Sequence, residues 1–210
     1  MIVVGITGKI GTGKSTVAAT FKDLGAQLLD ADRIGKEALE KPDTKSQLVE
    51  RFGDEILEED GSISTEKIAE IVFHDDEARK YLEEITHPYI RRVIKEELSN
   101  LEAHRFPGLA VIDAALLPKW EDIMELLDYL ILVDAPTWQR TNRLLERGYS
   151  RSDIEARISV QNEGFDKEFA SILERRVNFV IKNNGDLPVL RSKAVKVWHA
   201  IKRMGKPPKS

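Results

Sequence analysis

Five short apolar runs punctuate the chain: Ile2–Ile6, Ala26–Leu29, Leu109–Ile112, Tyr129–Val133 and Val177–Ile181. Each is nearly continuous rather than alternating, the pattern of a strand buried on both faces in a parallel sheet. Between them, apolar residues recur every three or four positions. Val17, Ala18, Phe21 and Leu24 mark such a helix over Ser15–Leu24. Alternating strands and helices predict an α/β architecture, with five parallel strands covered on both faces. The spacing is uneven, however. The interval from Asp30 to Gly108 far exceeds one crossover helix, and four helical patterns fill it: Lys45–Phe52, Thr65–Val72, Glu77–Thr86 and Pro88–Leu101. It reads as an inserted helical subdomain. A second interval, Thr137–Leu173, separates the last two strands and is dense in arginine. No internal repeat, low-complexity segment or flexible linker interrupts this layout.

Composition narrows the function classes. Of 210 residues, 41% are apolar and 32% charged, which suits a globular protein with a heavily charged surface. The net charge of −4 gives no footprint for nucleic acid or an anionic membrane. A short basic tail, Lys202–Lys209, reads as a solvated terminus. The absence of cysteine excludes disulfides, thiol catalysis and cysteine metal sites. No apolar stretch is long enough to span a bilayer, and the N-terminus reads as a core strand rather than a signal peptide. A cytoplasmic enzyme is the expectation.

The first strand leads directly into Gly8-Lys9-Ile10-Gly11-Thr12-Gly13-Lys14-Ser15-Thr16. Gly8, Gly13, Lys14 and Ser15 fit the phosphate-binding pattern G-x-x-x-x-G-K-[ST], in its required setting between a strand and a helix. The glycines let the backbone curl so that N–H groups converge on phosphate oxygens, and the helix dipole adds to that field. Lys14 would reach the β and γ phosphates, and the Ser15 hydroxyl would ligate Mg²⁺. In open α/β sheets ligands bind beyond the carboxyl ends of the strands. Polar groups stand there after every strand: the loop itself, Asp30-Ala31-Asp32, Asp113, Asp134, and Asn183-Asn184-Gly185. In an extended segment, Asp30 and Asp32 would point to the same side. One of them can take a proton from an attacking hydroxyl or hold Mg²⁺ through water. An N-cap for a helix from Arg33 is the structural alternative. Asp32 is the better catalytic candidate and Asp30 the structural one.

The chain as a whole resembles the dephospho-CoA kinases. The resemblance rests on GITGKIGTGKSTVA at 5–18, LGAQLLDAD at 24–32, FGDEIL at 52–57, DGSIS at 60–64 and IVFHD at 71–75. It continues through ITHPYIRR at 85–92, RLLERGYS at 143–150, RISVQ at 157–161 and VIKNNG at 180–185. The family implies a P-loop NTPase fold related to nucleoside monophosphate kinases. Its nucleotide-binding core would comprise 1–33, 106–136 and 174–210, with a helical CoA-binding insertion at 34–105 and a lid at 137–173. It also implies transfer of phosphate from ATP to the ribose 3′-hydroxyl of dephospho-CoA with Mg²⁺. In that scheme residues 8–16 bind ATP and Asp32 is the general base. His87, before Pro88, and Arg91 or Arg92 hold the acceptor, although such a histidine alone reads as a helix-boundary residue. Arg140, Arg143, Arg147, Arg151 and Arg157 crowd the lid. Arg143 and Arg147, four apart on one helix face, are the pair the resemblance assigns to the transferring phosphate. A solvated face paired with Glu146 or Glu155 is the expectation for most of the others. Asn183 belongs to a turn that lies beside adenine in similar kinases.

Two positions depart from the family pattern. Lys9 stands where a further glycine is usual, and a lysine there could point into solvent. Ala115-Leu116-Leu117-Pro118-Lys119 replaces a PLL-aromatic-Glu segment, which opens the question of acceptor preference. Rival readings are a nucleoside or nucleotide kinase, a GTP-dependent switch, and an ATP-binding protein without turnover. The switch would need Asn-Lys-x-Asp, and Asn183-Asn184-Gly185-Asp186 lacks the lysine.

Overall fold

The computed structural model describes residues 1–164 and 167–208. Residues 165 and 166 of the expected lid, and Lys209 of the basic tail, lie outside the described residues. The five apolar runs form one parallel sheet of β1 (Ile2–Thr7), β2 (Gln27–Asp30), β3 (Leu109–Asp113), β4 (Tyr129–Asp134) and β5 (Phe179–Lys182). The order is β2-β3-β1-β4-β5. β1 is central, with Val4 opposite both Val111 and Tyr129. Since all pairs are parallel, the polar ends Thr7, Asp30, Asp113, Asp134 and Lys182 share one edge.

The backbone divides into two compact units, residues 1–30 with 97–210, and residues 31–96. In the first, the sheet is flanked by α1 (Lys14–Asp23), α6 (Glu121–Met124), α7 (Thr137–Glu146), α8 (Arg151–Gly164), α9 (Lys167–Arg176) and α10 (Leu187–Met204). Val4, Ile6, Val111, Ile131 and Ile181 from the strands bury against Val17, Phe21, Leu190 and Trp198. Phe21 and Trp198 meet edge to face, 5.3 Å between centroids. The continuous apolar strands are thus explained by burial from both sides.

The second unit holds α2 (Ala31–Leu39), α3 (Pro42–Phe52), α4 (Thr65–His74) and α5 (Asp76–Ala103) as far as Glu96. Its own core gathers Leu39, Leu48, Ile56, Ile63, Ile68, Val72 and Ala78. α4 is capped by Ser64, whose hydroxyl accepts from the Lys67 N–H at 3.4 Å.

Two sequence expectations are corrected. The helices read at Glu77–Thr86 and Pro88–Leu101 are one helix, α5, with Pro88 inside it. Proline removes a donor and usually ends a helix. Here Ile90, Ile94 and Leu98 are buried at four-residue intervals, and the ring of Pro88 is exposed. Burial of that stripe favours one continuous helix over the stop that the proline signals. Secondly, Asp30 and Asp32 do not share an extended segment. Asp30 ends β2, and Asp32 already lies in the first turn of α2.

Candidate active site

The loop after β1 is shaped by what lies against it. Gly8 has φ of +147°, and a Cβ there would stand 2.2 Å from the Val133 carbonyl oxygen of β4. Gly13 has φ of +97°, and a Cβ would stand 2.6 Å from the Asn183 amide nitrogen. Both positions therefore exclude side chains twice over, by dihedral and by contact. Asn183, only 4% exposed, donates from Nδ2 to the Thr12 carbonyl at 2.8 Å. Its own N–H donates to Asp134 O at 2.7 Å. The Thr12 N–H and hydroxyl both donate to Lys9 O, at 3.2 and 2.7 Å. Gly13 opens α1, where Thr16 and Val17 donate to its carbonyl. The start of a helix presents N–H groups and a positive dipole end, the donor set an anion requires. The loop is thus preformed for phosphate by bonds beneath it.

Arg143 of α7 belongs to the same framework. Its Nη1 donates to Gly11 O at 3.2 Å, and its Nη2 to Asn183 O and Gly185 O at 3.3 and 3.5 Å. The guanidinium therefore fastens the phosphate loop to the 183–185 turn. Burial, countered by Glu146 and reinforced by Arg147, lowers its pKa from the ordinary value. Arg147 is exposed and stands at the C-cap of α7, one residue beyond the helix. From α8, Gln161 accepts the Ile10 N–H at 2.6 Å, joining the expected lid to the loop. Arg157, one turn earlier, stacks its guanidinium 4.6 Å from the centroid of Tyr149.

Arg140 departs from the expected solvated face. It is 4% exposed, and the backbone at Arg140 packs on Gly11: a Cβ on Gly11 would lie 3.0 Å from its carbonyl oxygen. Its guanidinium pKa is lowered chiefly by burial, with Asp134 opposing. Lys9 is likewise lowered by burial and by Arg140, against Asp134. Lys9 is therefore half-buried beside these charges rather than simply turned to solvent.

In the 31–96 unit, Asp32 lies in the first turn of α2. His87 and Arg91 lie four apart on α5, both half-buried, so they share a helix face. Arg92, the alternative to Arg91, is exposed and pairs with Glu96 at 2.8 Å. Asp30 is paired in the sheet register with Asp113. In the 115–119 segment, Leu117 and Pro118 are buried, whereas Lys119 is exposed. Among the described residues no three His, Asp or Glu side chains cluster as a metal site. Ser15, exposed in the first turn of α1, is the hydroxyl available at the loop. That sparse donor set fits Mg²⁺, which keeps waters and takes ligands from substrate phosphates.

Sequence reading missed two contributors. Gln161 carries no signal outside the 157–161 stretch. The burial of Arg140 had one, since it is four residues from the buried Leu144, on the same side of the helix.

A parallel sheet of this order, with a phosphate cradle after its central strand and arginines on the helix after β4, defines a kinase of the P-loop class. The dephospho-CoA kinase family model matches residues 2–188, and the chain belongs to that family. It is 36% identical over 207 residues to the dephospho-CoA kinase of Moorella thermoacetica, covering 97% of this chain and 93% of that protein. A crystal structure from Thermus thermophilus is 34% identical, with a TM-score of 0.70 over 95% of this chain and 96% of that one. The dephospho-CoA kinase from Campylobacter jejuni is 26% identical, with a TM-score of 0.61 over 94% and 96%.

Proposed function

We propose that the protein transfers the γ-phosphate of ATP to the 3′-hydroxyl of the ribose of dephospho-CoA, giving coenzyme A and ADP. The observation that carries this reading is the span of the family match, which takes in both the phosphate loop and the 31–96 unit. A nucleotide kinase would share the former, but nothing in the structure favours it.

In this mechanism the N–H groups of residues 8–16 and the Lys14 ammonium hold the triphosphate. Mg²⁺, with Ser15 as its protein ligand, would neutralise charge on the β and γ oxygens. Asp32 takes the proton of the 3′-hydroxyl as its oxygen bonds to phosphorus and the bond to ADP breaks. Residues 34–105 are the acceptor-binding region, with His87 and Arg91 as polar contacts. Residues 137–173 act as the lid, and Gln161 supplies one of its attachments to the loop. The geometry around Arg143 supports a positioning role, since its bonds run to backbone carbonyls. Arg147, exposed and four residues on, is the arginine suited to meet the transferring phosphoryl charge. The cytoplasm is the compartment in which this reading places the reaction.

The test is ADP release with dephospho-CoA, adenosine, AMP, CMP and water as acceptors. Turnover with dephospho-CoA should lie well above the rest. A clear preference for adenosine, AMP or CMP would reassign the enzyme as a nucleoside or nucleotide kinase.

A further inference from the structure

Among the described residues, Arg140 is the sole buried Asp, Glu, Lys or Arg. Its Nε and Nη2 atoms are buried without a hydrogen-bond partner. Buried charges are ordinarily paired, because an unpaired one loses its hydration with nothing in return. Arg143, three residues further on, shows how a structural arginine is satisfied, with three carbonyl acceptors. Arg140 has no such set. Instead its backbone packs against Gly11 of the phosphate loop, and its charge is felt by Lys9 of the same loop. Asp134 is a carboxylate that acts on both cations. A guanidinium with unused donors, beside a loop built to receive an anion, presents a planar fork that suits a phosphate.

We propose that Arg140 is a phosphate-binding residue, whose buried guanidinium pairs with the triphosphate of the bound nucleotide. This rests on the reading of the loop as the ATP site, but not on the identity of the acceptor. The cost of burying Arg140 is borne in the free protein and offset when the anion arrives. Such a residue destabilises the free fold while serving the ligand.

That arrangement separates stability from binding in opposite directions. Arg140→Met keeps the length and removes the charge. The free variant should melt at or above the wild-type temperature. Its affinity for inorganic tripolyphosphate and for ATP, measured calorimetrically without acceptor, should fall by about ten- to hundredfold, as for loss of a charge-assisted hydrogen bond. Tripolyphosphate affinity within twofold of wild type would overturn the proposal, whatever the melting temperature. So would a lower melting temperature with ATP and tripolyphosphate weakened equally little. If Arg140→Met does not fold, Arg140→Lys takes its place, preserving charge but not the fork. A loss of more than about fivefold supports the pairing, and wild-type affinity sinks it. Because these readouts omit the acceptor, wild-type failure to phosphorylate dephospho-CoA would refute the proposed reaction alone.

Discussion

The two units carry their candidate binding groups on different materials. Around the phosphate loop, the backbone supplies many of the candidate donors, and bonds from Asn183 and Arg143 fix it. In the 31–96 unit, the candidate groups are side chains on helix faces: Asp32 on α2, His87 and Arg91 on α5. A backbone cradle demands glycine at set positions and therefore leaves a sharp motif. A helix face demands only spacing, so many sequences serve. The contrast also implies a division of labour. Changes in the helical unit should affect chemistry on the acceptor, and changes near the loop should affect the nucleotide.

The strongest test of that division is Asp32→Asn. The amide keeps the shape and the hydrogen-bonding capacity but cannot accept the hydroxyl proton. Turnover at saturating ATP and dephospho-CoA should fall by about 10²- to 10⁴-fold, the usual value of general-base assistance. The Kd for ATP should stay near wild type. Retention of more than about a tenth of wild-type turnover, less than that range, would remove Asp32 as the base. Asp30→Asn, at the end of β2, should cost less.

A smaller effect distinguishes the two arginines of the family stretch. Arg143→Ala removes the fastening between Gly11 and the 183–185 turn. About 1–1.5 kcal/mol of net hydrogen bonding is at stake, or roughly tenfold in ATP affinity, with turnover at saturation largely kept. Arg147→Ala should show the opposite split, lowering turnover more than ATP affinity. Steady-state kinetics with ATP varied give both numbers. Identical splits in the two variants would mean that the arginines act as one group.

How much of this was legible follows from the same contrast. The strands were visible because burial on both faces leaves nearly unbroken apolar runs, such as Leu109–Ile112. The loop was visible because no residue but glycine fits at Gly8 against the Val133 carbonyl. α5 was split because Pro88 carries a strong local stop signal, and only the tertiary burial of Ile90, Ile94 and Leu98 overrides it. Arg140 was grouped with exposed arginines because composition weighs charge but not position on a helix. Its spacing from Leu144 was the better guide. Gln161 stood only within the 157–161 stretch of the family resemblance, because no local pattern marks its bond to the Ile10 N–H.

The mildest prediction turns on that overridden proline. Pro88 is exposed and lies within α5, where it can donate no N–H to the helix. Proline in a helix interior is about 3 kcal/mol less favourable than alanine. Two terms shrink the gain from Pro88→Ala. The native helix has already adapted around the ring, and alanine loosens the unfolded chain by about 0.4–1 kcal/mol. A net gain of about 1 kcal/mol remains, worth roughly 2–4 °C of melting temperature in a chain of this size. Amide hydrogen exchange should slow along α5, where the restored donor completes the ladder. ATP affinity should not change, because the loop after β1 is held by bonds from Asn183 and Arg143. If Pro88→Ala instead lowers the melting temperature, the proline shapes the packing of α5 rather than interrupting it. If ATP binding weakens as well, the separation between the two units fails at this helix.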